Sequence, residues 1–66
     1  QPDLLDQLTE RQRVVLESAF HAGYYDSPRA NTGAEVAESL GIATPTFHEH
    51  LRTAERKLIA EHFEAE

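Results

Sequence analysis

The chain has 66 residues and a formal net charge of −6, from 12 Asp and Glu against 6 Lys and Arg. This length allows one small domain, and the absence of Cys excludes disulfides, thiolate metal sites and a cysteine nucleophile. No apolar run approaches the ~20 residues of a membrane span and no signal peptide opens the chain, so we expect a cytoplasmic protein without membrane contact.

The chain contains no Met, and we therefore expect it to be a piece of a longer protein. We predict that residues 1–7 are a linker or N-terminal extension and that residues 8–66 form the domain. In the extension, Leu4 and Leu5 are apolar and can cover a neighbouring helix.

A first helix is predicted over about residues 10–22. Thr9 and Gln12 have the spacing of a capping box, in which each side chain bonds a backbone N–H that lacks a partner inside the helix. Gly23 is the type of residue that ends a helix. The apolar residues fall on one face, which we expect to pack against the other helices: Val15, Leu16, Ala19 and Phe20.

The residues from Gly23 to Thr32 include Pro, Asn and Ser and predict a loop. Tyr24 and Tyr25 stand at its start. Tyrosine combines a large apolar ring with a polar hydroxyl, and a small domain needs such side chains to cover its core. We interpret the two tyrosines as a lid over the core rather than as a binding site.

A second helix is predicted over about residues 33–40. Thr32 and Glu35 have the spacing of another capping box. Gly41 follows the last apolar residue, and glycine best tolerates the left-handed conformation that often ends a helix.

A third helix is predicted over about residues 45–63. We predict Thr44 as its cap, because Pro45 lacks an N–H and is tolerated in a first helical turn. Its apolar face carries Phe47, Leu51, Ala54 and Leu58. Two capped helices joined by a short turn with a Gly form a helix-turn-helix, whose second helix enters the DNA major groove. The predicted fold class is thus a small all-α helix-turn-helix bundle.

The opposite face of the third helix is the candidate DNA-binding surface. Arg52 can bond guanine through its bidentate fork, and Glu49 can accept a hydrogen bond from cytosine, so these two are the best candidates to read bases. The others support them at bases or at the backbone. The full candidate set is Thr46, His48, Glu49, Arg52, Thr53 and Arg56.

An alternative interpretation makes this face an ordinary solvated surface, on which Arg52 and Arg56 pair with Glu49 and Glu55. The negative charge of the chain supports it, since DNA-binding domains usually present a basic surface. The charge is uneven, however: between residues 45 and 58 three basic residues stand against two acidic ones, whereas the chain ends hold five acidic residues and no Lys or Arg. We therefore favour DNA binding.

The histidines do not predict a metal site. His48 and His50, two residues apart on a helix, point ~200° away from each other and cannot bind one ion together. We expect His50 to be half-buried at the margin of the core. There is no Gly-rich phosphate loop and no Ser/His/Asp grouping, so we expect no enzyme activity, no metal and no cofactor.

Ile59 and Phe63 fall on the outward side of the third helix, beyond the segment that a groove would hold. Two exposed large apolar residues invite a partner. One interpretation is a homodimer contact, which would set the spacing of two DNA half-sites at ~34 Å or a multiple. The other is that Leu4 and Leu5 fold back over them. The sequence leaves both open.

These residues resemble the bacterio-opsin activator type of helix-turn-helix domain found in halophilic archaea. The resemblance covers residues 8–60 and is specific, because its motifs occur together in the expected order. They are Leu8-Thr9-Glu10-Arg11-Gln12, Gly23-Tyr24 with Asp26 and Pro28-Arg29, Thr46-Phe47-His48-Glu49-His50-Leu51-Arg52, and Ala54-Glu55-Arg56-Lys57-Leu58.

The resemblance implies a C-terminal DNA-binding module of a transcriptional regulator, similar in architecture to the response-regulator and sigma-factor type. It also implies an acidic protein of salt-loving cells, where the Debye length of ~3 Å at molar salt screens long-range repulsion from DNA. Recognition helices of this type commonly have a Ser cap at the position of Ala43, whereas Thr44-Pro45 is expected to shift the start by one residue.

We therefore predict a domain that binds double-stranded DNA through helix 45–63 and regulates transcription. The alternative is an acidic helical interaction or dimerisation module that does not touch DNA. Arg52 and Arg56 distinguish the two, because only DNA binding depends on them.

Overall fold

The computed structural model describes residues 4–64. In this range a short 3₁₀ helix (Leu4–Gln7) precedes three α-helices, and no strand is present. The helices are α1 (Glu10–His21), α2 (Gly33–Leu40) and α3 (Thr44–Glu64). The predicted all-α helix-turn-helix is confirmed, and each helix begins and ends within one residue of its predicted bounds. Residues 1–3 of the predicted extension lie outside the described part.

Capping boxes define the N-terminal ends of α1 and α2. The backbone N–H of Gln12 donates to the hydroxyl of Thr9 at 3.2 Å, and the N–H of Thr9 donates to Gln12 Oε1 at 3.1 Å. Thr32 and Glu35 make the same reciprocal pair at 3.2 and 2.7 Å. Replacing a cap residue by Ala typically costs ~1 kcal/mol, so these side chains fix where both helices begin.

The start of α3 differs from the prediction. Thr44 is the first helical residue, and the N–H of Phe47 donates to the carbonyl of Ala43 at 2.9 Å, which places Ala43 in the cap position. Thr44 is therefore not the cap. The prediction went wrong because Pro45 lacks only an N–H that several first-turn positions leave unpaired. The proline therefore does not determine which of those positions it occupies.

All three α-helices contribute to one core. Its buried members are Val15, Ala19, Val36, Ala37, Phe47 and Leu51. The ring of Phe47 is fully buried, and Tyr24 packs edge-on against it with ring centroids 5.7 Å apart. Tyr24 thus covers the core as predicted, whereas Tyr25 is 45% exposed and does not pack against the core cluster.

Phe20 was predicted to lie in the core, but 63% of it is exposed. The packed strip of α1 is narrow and centres on Val15 and Ala19. Phe20 lies ~100° beyond Ala19 around the helix, so its ring points away from α2 and α3. It borders a shallow groove together with Leu5, Leu16 and Tyr25.

The turn between α2 and α3 depends on Gly41. Its backbone is left-handed, with φ 72° and ψ 29°. Its N–H donates to the carbonyl of Glu38 at 3.0 Å, and the N–H of Ile42 donates to that of Ala37 at 3.1 Å. A Cβ at Gly41 would meet no atom within 4 Å. The glycine is therefore required for its backbone conformation and not for space.

We expect Gly41→Ala to lower the free energy of unfolding by about 1 kcal/mol, because a side chain in the left-handed region carries this strain. Gly41→Asn is the matched control and should lose less, since asparagine tolerates that region better. Urea unfolding followed by circular dichroism in KCl measures both. Equal stability of Gly41→Ala and the unchanged chain would contradict the strain argument.

Candidate nucleic-acid interface

The outward face of α3 is open to solvent. Phe47, Leu51 and Ala54 are buried on the opposite side, which sets the rotation of the helix. Of the candidate residues, Thr53 is half-buried, and the exposed ones are Thr46, His48, Glu49, Arg52 and Arg56. The structure therefore brings five of the six predicted residues to one accessible helix surface.

The two arginines of this face are not neutralised. Within residues 4–64 the ion pair that forms is Arg13 with Glu17 on α1, at 3.3 Å. Arg52 and Arg56 make no ion pair with Glu49 or Glu55 in this range. The charge-paired surface considered as an alternative is thus absent from the described structure, and both guanidinium groups are free to bind an anion.

Glu55 is instead tied to the loop between α1 and α2. Its carboxylate accepts a hydrogen bond from the hydroxyl of Tyr25. Burial of the hydroxyl, with this bond and the negative charge of Glu55, raises the pKa of Tyr25. Tyr25 therefore remains a neutral donor, and it holds the loop against the middle of α3.

His48 makes a contact that the sequence did not predict. A Cβ built on Gly33 would lie 2.7 Å from His48 Cε1 and 3.3 Å from Phe47 Cε2. The imidazole thus covers the first residue of α2, and a side chain at Gly33 would displace it. His48 joins the two helices of the helix-turn-helix while remaining exposed. The signal in the sequence was the placement of Gly33 directly after the cap Thr32.

Lys57 does not belong to the free positive surface. Its ammonium donates to Gln12 Oε1 at 2.8 Å, and the same oxygen accepts the N–H of Thr9. The capping box of α1 is therefore also the attachment point of α3. By sequence Lys57 is one of the three basic residues between positions 45 and 58, but its side chain attaches α3 to α1.

The predicted position of His50 at the margin of the core agrees with its half-buried side chain. In the described part of the chain, no three His, Asp or Glu side chains converge in a group that could hold a metal ion. None of the described helices is long and apolar enough to span a bilayer.

Ile59 and Phe63 remain exposed, at 57% and 67%. The 3₁₀ helix contacts α3, but Leu5 lies in the groove beside Leu16 and Phe20 and does not cover this pair. The side chain of Leu4 lies outside the described residues. These two residues thus form an exposed apolar surface near the C-terminal end of α3.

The bond between Tyr25 and Glu55 predicts a measurable coupling. We expect Tyr25→Phe and Glu55→Ala each to lower the free energy of unfolding, and the double variant to lose less than their sum by ~0.5–1.5 kcal/mol. Urea unfolding of the four chains gives the coupling energy. Additive losses would show that the bond contributes nothing to the attachment of the loop.

Known proteins similar to this chain come from halophilic archaea. A Haloferax volcanii protein assigned as a transcriptional regulator is 60% identical over 58 residues, which are 88% of this chain and 10% of that protein. The bacterioopsin transcriptional activator of Halobacterium salinarum is 40% identical over 62 residues, 94% of this chain and 9% of the activator. The transcriptional regulator NarO of Haloferax volcanii is 50% identical over 54 residues, 82% of this chain and 26% of NarO.

The chain therefore spans only about a tenth to a quarter of the length of these relatives. No solved structure gives a significant match. The family model described as "HTH DNA binding domain" matches residues 8–60, which include α1, α2 and most of α3. The chain belongs to this family, the bacterio-opsin activator type of helix-turn-helix DNA-binding domain.

Proposed function

We propose that the domain binds duplex DNA by placing the N-terminal half of α3 in the major groove, and that a longer protein uses it to regulate transcription. The observation that carries this proposal is the pair of unpaired guanidinium groups, Arg52 and Arg56, on the exposed face of the second helix of a helix-turn-helix. An α-helix fits the major groove, which is ~12 Å wide. The names of the relatives agree with a regulatory use.

Within the groove, the roles follow from the chemistry of the side chains. Arg52 is the guanine reader, because its planar fork matches the two acceptors O6 and N7. Glu49 lies three residues earlier on the same face and accepts from the N4 amino group of cytosine. The remaining four residues make supporting contacts with bases or phosphates: Thr46, His48, Thr53 and Arg56.

The high acidity of the chain shapes this interaction. Each phosphate contact contributes through release of counterions, and this contribution falls as the salt concentration rises. With two free arginines on the reading face and a net charge of −6, non-specific attraction to DNA is weak. Selective binding must therefore rest on base contacts and on DNA shape, which salt weakens less.

Fluorescence anisotropy with a site selected from a randomised duplex pool tests the proposal, at 0.1 M and at molar KCl. We expect selective binding at both concentrations. Arg52→Ala should weaken it by ~1–3 kcal/mol and relax selectivity at one base pair. Arg13→Ala, which removes an equal charge from α1, is the matched control and should bind like the unchanged chain.

Two outcomes would contradict DNA reading by α3. One is equal affinity and selectivity of the Arg52→Ala chain and the unchanged chain. The other is binding seen only at low salt without sequence preference. Either would favour the alternative of an interaction module that does not contact DNA.

We further propose that Ile59 and Phe63 form a homodimer contact. Both are more than half exposed, they lie one helical turn apart, and the described part of the 3₁₀ helix leaves them uncovered. The contact would lie on α3 beyond the groove-bound half, so two copies could bind neighbouring half-sites on DNA.

Light scattering of Phe63→Ser tests this contact, and we expect a lower average mass than that of the unchanged chain at equal concentration. Phe20→Ser is the matched control, because Phe20 is similarly exposed at 63% on a different surface. A mass for Phe63→Ser equal to that of the unchanged chain would exclude the dimer contact.

A further inference from the structure

The loop between α1 and α2 forms a wall along one side of the DNA-reading face. Two contacts place it there: Gly33, where α2 begins, lies under His48, and Tyr25 bonds Glu55. His48 and Glu55 are seven residues apart, nearly two full turns, and so lie on the same side of α3. Arg52 stands between them along the helix, which places the wall directly beside the proposed guanine reader.

Under the proposed function, this wall lies on a side of α3 along which a DNA backbone strand runs. A helix that fills the major groove has a phosphate strand along each of its sides. Phosphate contacts beside the recognition helix orient it and supply affinity without reading sequence. The charged side chains of this loop and of the adjoining first turn of α2 therefore matter for binding, and they are Asp26, Arg29 and Glu35.

Arg29 is the cation of this wall, and its side chain is held in place. Its Nε donates to the carbonyl of Tyr24 at 2.8 Å, and its guanidinium carbon lies 4.3 Å from the centre of the Tyr24 ring. Tyr24 in turn packs against Phe47 of α3. These ring contacts fix the guanidinium relative to the recognition helix, while the side chain as a whole remains exposed.

We propose that Arg29 is a phosphate-binding residue of the DNA interface. The bond to Tyr24 uses only Nε and leaves the two terminal nitrogens of the guanidinium for the oxygens of one backbone phosphate. Because the group is already oriented, little conformational freedom is lost when it binds. The carboxylate of Glu35 keeps its charge, but it is held on the N–H of Thr32 at the start of α2.

This inference rests on the proposed function and is tested by the salt dependence of binding. The affinity of the 66-residue chain for its selected duplex is measured from 0.1 to 1 M KCl, with Arg29→Gln, Arg29→Lys and Arg13→Gln. Loss of one phosphate contact lowers the slope of log affinity against log salt by about 0.9. We expect this loss for Arg29→Gln, with binding several-fold weaker at 0.1 M and nearly equal at 1 M.

The other variants separate a phosphate contact from a merely structural role. Arg29→Lys keeps the charge and should keep the slope. Arg13→Gln removes the same charge from the outer side of α1 and should leave the slope unchanged. The loss for Arg29→Gln should be the same on selected and unrelated duplexes, whereas that of Arg52→Ala should fall mainly on the selected one. Circular dichroism confirms that each variant is folded.

If the original chain binds DNA and folded Arg29→Gln shows the same salt slope, the inference is overturned. Arg29 would then have only a structural role, through its contacts with Tyr24 in the loop. A slope lowered equally by Arg13→Gln would also overturn it, because the effect would then reflect net charge. Failure of the unchanged chain to bind any duplex would be a failure of the proposed function itself, and is therefore distinguishable from the other two results.

Discussion

The burial of Phe47 determines which face α3 presents to the surroundings. Its ring is fully buried in the cluster formed with α1 and α2. Tyr24, in the loop after α1, packs against the ring and covers it. Burying such a side chain contributes ~1.5–3 kcal/mol. Since residues on a helix keep fixed angular relations, enclosing Phe47 turns Arg52 outward. Any rotation of α3 would expose Phe47, so the contact that stabilises the core also fixes the proposed DNA-reading surface.

The parts of the fold with a local chemical cause could be predicted from the sequence. The capping boxes at Thr9 and Thr32 and the left-handed Gly41 depend on residues within one turn of each other, so the pattern alone located them. The start of α3 was misplaced because several first-turn positions accept Pro45. The core position of Phe20 was wrong because the width of a packed face depends on the neighbouring helices, and periodicity along one helix does not contain that information.

The same distinction applies to the candidate site. The outward face of α3 follows from helical spacing, and its exposed residues were found that way. The orientation of Arg29 on Tyr24, the seating of His48 over Gly33 and the attachment of Lys57 to α1 were not found. Each joins residues from different elements, or from a loop whose path has no periodic signal. The spacing of residues within α3 predicts which of them share a face. The loop beside that face takes its position only through tertiary contacts, which spacing does not predict.

The contacts around α3 explain how an acidic domain can offer a positive surface. Core packing occupies one side of the helix, the loop and α2 occupy the side of His48 and Glu55, and α1 holds Lys57. One arc is left, and the two arginines of α3, Arg52 and Arg56, lie on it without an ion pair to any residue that the structure describes. The carboxylate of Glu55, which could neutralise them, is bound to Tyr25 instead. A polyanion such as DNA would contact these two arginines directly. Salt screens its repulsion from the acidic residues that lie farther away. Under the proposed function, the position of two free guanidinium groups therefore outweighs a net charge of −6.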